Sequence, residues 1–276
     1  MDVIMMAIQK GGVGKTTGVI ELSNIFAQNA NVLVIDLDPQ RNCSSYIGAD
    51  ISSNKKTILD ILNPKDDIPV EINNVIQNIK KNKKGRLDVI IASKDLANSS
   101  SIFTDMDDIF ILQDLIEIIK KTLDYDYVFI DTAPGRSNVT FMAYLACDYI
   151  ISPSGSCPGS VTGLMELALD LDKLRKRGYN GFHAKYLGCY SFAYEKTNSH
   201  NVMLDTFEIL AEKLHSSPFE TVIPKGIIAT DCKVTCQTIA EYANENHIKT
   251  KLSSAYISLA NEIKKRIKED KNLNGK

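Results

Sequence analysis

No apolar run in the chain approaches the ~18 residues that a membrane-spanning helix requires. The opening segment MDVIMMAIQK lacks the basic start, long apolar core and small-residue cleavage site of a signal peptide. Cysteine is present, as Cys43, Cys147, Cys157, Cys189, Cys232 and Cys236, but never as a CxxC pair. Cys232 and Cys236 lie one helical turn apart, yet no His or second pair accompanies them in metal-ligand spacing. The thiols are therefore read as core or incidental residues of a cytoplasmic protein. Charge of one sign is also missing. The 32 Lys+Arg against 34 Asp+Glu leave a formal net charge of −2, so any affinity for nucleic acid has to come from a local patch. No Pro/Gly/Ser-rich linker and no internal repeat divides the chain. With 276 residues and 44% apolar content, residues 1–276 are expected to form a single α/β domain with a well-filled core.

What is present is an alternation of short β-branched runs with longer helical patterns. Strands are predicted at Val3–Ile8, Val32–Ile35, Leu87–Ala92, Tyr127–Ile130, Tyr149–Ser152 and Tyr186–Tyr190. Helices are predicted at Lys15–Gln28, Gln113–Leu123, Ser160–Arg177, Val202–Leu214 and Thr235–Glu245. The strands are nearly continuous apolar runs, the pattern of a parallel sheet buried on both faces. Such alternation implies right-handed crossovers and a doubly wound, mainly parallel sheet with helices on both faces. Asp50–Lys84, polar and rich in Asn and Lys, is expected to decorate that sheet with short helices and loops.

Directly after the first strand comes Lys10-Gly11-Gly12-Val13-Gly14-Lys15-Thr16-Thr17, followed by a helix. Small residues let backbone N–H groups turn inward around phosphates, and the helix start adds its positive dipole end. Lys15 is placed to reach the β/γ-phosphates and the Thr16 hydroxyl to ligate Mg²⁺. Gln9 holds the first glycine position of the usual pattern, so the loop is a lysine-led variant. Two further strands end in acid: Ile35 runs into Asp36-Leu37-Asp38-Pro39-Gln40, and Ile130 into Asp131-Thr132-Ala133-Pro134-Gly135. Ligands of doubly wound sheets bind beyond the carboxyl ends of the strands. Three such elements converge there. Asp131, which directly terminates an apolar strand, is the better metal-side candidate.

These residues resemble the ParA/MinD family of deviant-Walker P-loop ATPases, and within it the Soj-like ParA partition proteins. Asp36–Gln40 followed by Asn42 is the ParA-type form of the second motif. Leu87–Ala92, Ala146–Pro153 and Thr221–Lys225 are similar to ParA segments in the same order. The resemblance implies ATP and Mg²⁺ as cofactors, slow partner-stimulated ATP hydrolysis, and an ATP-dependent homodimer. It also implies a ParB-like centromere-binding partner, and non-specific duplex DNA as the surface bound in the ATP state. Localisation would then be cytoplasmic, on the nucleoid when ATP is bound, with no membrane partner. By the same resemblance, Lys10 is the signature lysine that reaches the partner's nucleotide. Lys10 through Thr17 hold ATP, with Lys15 on the phosphates and Thr16 on the metal. Asp38 positions the hydrolytic water, making Lys10, Lys15 and Asp38 the catalytic set. Asp36 and Asp131 support the metal. Pro224 and Lys225 begin the adenine-side loop, where this chain reads P-K-G rather than P-R-N. Lys196 stands where the family carries a DNA-contacting arginine, and Ile228 where a second basic residue is expected. The helix-turn-helix extension of larger ParA proteins is not expected here.

Three Lys/Arg clusters remain: Lys80-Lys81 with Lys83-Lys84 and Arg86, Lys173 with Arg175–Arg177, and Lys264–Arg266 with Lys268. Each is read first as a solvated face, and the last ranks second to Lys196 for DNA. The stretch Leu252–Ile267 is amphipathic, with Tyr256, Leu259, Ala260, Ile263 and Ile267 close to one face. It is expected to dock on the domain. A basic amphipathic membrane anchor would instead favour the alternative, a MinD-like membrane-associated positioning ATPase. His183, His200, His215 and His247 are isolated.

Overall fold

The apolar runs pair into one eight-stranded sheet in the order β3-β4-β2-β5-β1-β6-β7-β8. The strands are β1 (Asp2–Met6), β2 (Asn31–Asp36), β3 (Ile76–Lys81), β4 (Arg86–Ile90), β5 (Tyr127–Asp131), β6 (Tyr149–Ser154), β7 (Lys185–Tyr194) and β8 (Val222–Pro224). The computed structural model describes residues 1–63, 71–155, 157–178 and 181–274. Every neighbouring pair is parallel except β3 with β4. The connecting helices are α1 (Lys15–Phe26), α2 (Asn42–Tyr46), α3 (Leu59–Leu62), α4 (Ser99–Ile102), α5 (Ile111–Thr122) and α6 (Asn138–Ala146). They continue with α7 (Pro158–Arg177), α8 (Asn198–Lys213), α9 (Ile228–Val234), α10 (Ile239–Glu245) and α11 (Leu252–Asn274).

The two-residue period of a strand divides the central runs between two cores. Val3, Met5, Leu33, Ile35, Val128 and Ile130 face α5, α6 and α7. Ile4, Met6, Val32, Val34 and Phe129 face α1, α10 and α11. Both faces of the sheet are covered, so the strands need no polar side. In α11, Tyr256, Leu259, Ala260 and Ile263 are fully buried and Ile267 nearly so. A fully buried side chain of the larger apolar types contributes roughly 1.5–3 kcal/mol, which anchors this helix to the sheet rather than leaving it to another surface. Arg266 fixes it further, donating to the carbonyls of Leu187 at 2.7 Å, Ser217 at 2.6 Å and Pro218 at 2.6 Å. Lys264 lies 4.3 Å from the centre of the Phe26 ring. The basic cluster read at 264–268 is thus partly turned inward, which removes Arg266 from any outer patch.

Two sequence expectations need correction. Within Asp50–Lys84, whose residues 64–70 lie outside the described residues, Ile76–Lys81 forms the edge strand β3. Its sequence, IQNIKK, lacks alternation because an edge strand needs little burial and tolerates lysine. Tertiary pairing makes it a strand: it runs antiparallel to β4 with a bulge between Asn78 and Lys80, and Asn78 donates to Asp88 at 2.6 Å. The helix expected at Thr235–Glu245 begins only at Ile239. Cys236 takes a left-handed backbone at φ 52°, and Thr238 then starts α10 through a capping box with Glu241. Helices α2, α4, α6 and α9 had no counterpart among the predicted elements.

One buried acid links these layers. Glu21 of α1 is 3% exposed and accepts from the Ile239 backbone N–H at 2.9 Å. Burial pushes its carboxyl up to about 7, against a usual 4.5. Its folded-state pKa is raised, so the folded chain holds the proton more tightly and stability falls as pH rises from about 4.5 through 7. The loss is complete above that range and amounts to up to about 3 kcal/mol. Urea unfolding at pH 5 and pH 8 should therefore show a decline for the wild-type chain that Glu21→Gln lacks, and parallel declines would rule out Glu21 as its source.

Candidate nucleotide site

The loop at 10–17 leaves β1 in the centre of the sheet and closes over the start of α1. Gly12 and Gly14 both adopt positive φ, 75° and 92°, where a side chain would be strained. At Gly14 an added Cβ would also lie 2.5 Å from the Phe192 ring. Gly14 starts α1 with no side-chain cap, and the first turn contains no acid. The first N–H groups of a helix have no partner within it. Here neither a cap nor an acid takes them, the arrangement of an anion site. Lys15 is buried and folds back over the loop, its Nζ donating to the carbonyl of Lys10 at 3.1 Å and, more weakly, toward that of Ile8 at 3.4 Å. Burial lowers its pKa, opposed by the nearby carboxylates of Asp131 and Asp38.

The two acidic strand ends stand side by side, because β2 and β5 are neighbours with Asp36 opposite Asp131. Both are fully buried. Asp131 accepts from the Thr16 hydroxyl at 2.7 Å through Oδ2, while Oδ1 is buried with no donor at all. Burial, then the Asp36 charge, pushes the Asp131 carboxyl up to about 8. Asp36 is filled differently. Its Oδ1 takes the Asp38 backbone N–H at 3.0 Å, and its Oδ2 takes the Ser44 N–H at 2.8 Å and hydroxyl at 2.6 Å. Burial raises it to about 6. Asp38 is nearly buried, oriented by the Gln40 N–H at 2.9 Å on Oδ1.

A divalent cation fits this arrangement. The orphaned Asp131 Oδ1 beside the Thr16 hydroxyl is an oxygen pair of the kind Mg²⁺ uses, with waters and substrate phosphates filling the other positions. Among the described residues no cluster of three or more His, Cys, Asp or Glu forms a protein-only metal cage. Thr16 and Asp131 offer free oxygens, whereas Asp36 already accepts three hydrogen bonds from Ser44 and Asp38. Ser44 was not singled out from sequence, since a serine in a short helix carries no pattern to announce it.

The remaining candidates lie further out. The exposed Lys10 side chain runs along the first turn of α7, where an added Cβ at Gly159 would sit 3.3 Å from its Nζ. Pro224 ends β8, three strands from β1 and so about 14 Å along the sheet. Lys225 pairs with Glu195 at 3.2 Å, and Lys196 is exposed beside them. Ile228 is buried in the core under α11 rather than presented outward.

Residues 1–183 match the family described as an AAA domain. Over 267 residues the chain is 28% identical to the chromosome partitioning protein ParA of Caulobacter vibrioides, covering 95% of this chain and 94% of that one. The ATP complex of McdA from Cyanothece has a TM-score of 0.78 at 19% identity, over 95% of this chain and 96% of that chain. The septum site-determining protein MinD of Pyrococcus horikoshii OT3, solved with Mg-ADP, has a TM-score of 0.72 at 20% identity, over 95% of each. At those identities the two structures show the fold alone. Lysine-led loop, strand order and near full-length similarity agree: the chain belongs to the family described as an AAA domain, is similar to ParA over nearly its whole length, and has the fold of the McdA and MinD structures.

Proposed function

We propose that this chain is an ATP-hydrolysing switch for DNA partition, which dimerises on ATP and then binds duplex DNA without sequence preference. The observation that carries the reading is the Thr16–Asp131 pair, with its orphaned carboxylate oxygen, set against the uncapped start of α1. The similarity to Caulobacter ParA supports the choice of cargo class, and a ParB-like protein is the partner it implies. In this reading the backbone N–H groups of 11–17 bind the phosphates and Lys15 leaves its carbonyl partners to join them. Thr16 and Asp131 would hold Mg²⁺, which would supply positive charge to offset that of the phosphates. Asp38, held by the Gln40 N–H, orients the attacking water through its second oxygen. Asp36 acts from behind, fixing residues 36–44. Phosphoryl transfer needs positioning and electrostatics more than covalent help, and these residues supply both. Pro224 and Lys225 border the adenine side.

Two lysines divide the work. Lys15 serves its own site, so Lys15→Ala should lose ATP affinity outright. Lys10, without an ion pair among the described residues, serves the partner's site in this reading. Lys10→Ala should keep ADP binding while losing ATP-dependent dimerisation and turnover. Calorimetry with light scattering checks both, and equal loss of ADP binding in the two variants would sink the division.

DNA binding should depend on the dimer. A monomer of formal charge −2 has no net attraction for phosphate. A second copy would double the contacts made by Lys196 and its surroundings through effective concentration. With about six phosphates neutralised per dimer, log K should fall with log salt at a slope near −5. A salt titration of a labelled random duplex with ATP, with ADP and without nucleotide reads this, and Lys196→Glu should weaken all sequences alike. Equal binding in the three states would refute the switch. Binding to anionic liposomes instead of DNA would favour the MinD-type reading, against which the docked face of α11 argues.

A further inference from the structure

Beside the nucleotide loop, between α6 and α7, lies a cavity of about 310 Å³ whose chemistry the ATPase reading does not use. Three cations line it, Arg136, Lys173 and Arg177, against one carboxylate, Asp170. Lys173 and Arg177 carry no ion pair among the described residues. Among the described residues Arg136 uses its Nε alone, which donates to both Asp170 oxygens at 3.0 and 2.9 Å. The same Asp170 accepts from Gln9 Nε2 at 3.0 Å, and Gln9 also donates to the Tyr144 hydroxyl at 3.1 Å. Gln9 Oε1 is buried with no donor. The site therefore has excess positive charge together with an acceptor that lacks a hydrogen.

We propose that this cavity is a docking site for an acidic peptide segment of a partner protein. Charge complementarity calls for an anion, and the orphaned Gln9 oxygen calls for an N–H. A carboxylate side chain on a peptide backbone brings both. Nucleic-acid phosphate brings only the first, and a convex duplex does not enter a cavity of this size. Phe141 and Leu174 in the same wall accept an apolar neighbour of the acid. The position gives the contact a consequence. Gln9 leads directly into the loop at 10–17, and Arg136 follows Asp131 on the strand-end loop after Gly135, whose φ is 97°. A carboxylate that takes Arg136 from Asp170 frees the side chain that bridges Gln9 to Arg136. That consequence for ATP turnover rests on the proposed switch; the docking itself does not.

The probe is an end-blocked, fluorescently labelled peptide of alternating glutamate and leucine, titrated by polarisation against the full chain without nucleotide. Saturable binding is expected, weakened about tenfold or more by Lys173→Glu combined with Arg177→Glu. Arg136→Gln should weaken it as well, which keeps the test open if the double variant fails to fold. Asp170→Asn, which removes the competing carboxylate, should tighten binding several-fold. Asp172→Asn, the same charge change outside the cavity, should leave it unchanged. A glutamine version of the peptide should not bind. Equal binding by wild-type and charge-reversed chains overturns the proposal. So does displacement of the peptide by random duplex DNA, which would make this a nucleic-acid surface, or by millimolar inorganic phosphate, which would make it a simple anion site. Loss of ATP turnover in a separate assay would instead count against the switch and leave the docking result standing.

Discussion

Two buried carboxylates are forced side by side, and much of the site follows from how each is satisfied. Parallel pairing of β2 with β5 sets Asp36 opposite Asp131 at the centre of the sheet. Loss of water pushes both carboxyls up, and the Asp36 charge raises Asp131 further. Protein donors relieve Asp36. Asp131 receives only the Thr16 hydroxyl and keeps one oxygen bare. An unpaired buried acceptor is costly, and a cation is the species that removes the cost most fully. The same strand pairing thus makes one acid structural and the other available.

The loop around that pair is shaped by packing as much as by its own glycines. Gly14 has to be glycine for its φ and because the Phe192 ring from the end of β7 stands against it. Gly18, one turn into α1, lies under Met6 and the Tyr190 hydroxyl, where an added Cβ would come within 2.6 Å of each. Helix α1 is consequently held close to the sheet along its length. On its far side Glu21 holds the start of α10, and Lys80 of β3 bridges Asn24 to Glu241 at 2.9 and 2.7 Å. Helix α1 thus joins the phosphate loop to α10 and the edge strand through these hydrogen bonds.

The loop, the two acidic strand ends and the parallel core were legible because each rests on local chemistry with a fixed spacing. Apolar runs of five or six residues have few alternatives to a buried strand, and a lysine-led glycine loop after one has few alternatives to phosphate. The edge strand β3 was not legible, since IQNIKK becomes a strand only by pairing with β4. Nor was the break before α10, where a left-handed Cys236 carries no sequence mark. The site showed the same division. The sequence ranks Asp131 ahead of Asp36 on the metal side, but not the donors of Ser44 and Asp38 that fill Asp36. Lys264 and Arg266 read as a surface cluster, yet Phe26 and three backbone carbonyls draw them inward.

In the proposed switch Asp38 orients the water, while Asp131 serves the metal and Asp36 fixes the loop at 36–44. Rapid-quench turnover of Asp38→Ala with Mg-ATP, beside its ATP affinity by calorimetry, tests that most directly. The account predicts affinity close to wild type, with hydrolysis slowed by about 10²-fold or more and the ATP-bound form accumulating. Hydrolysis at the wild-type rate, or loss of ATP binding together with turnover, would contradict it.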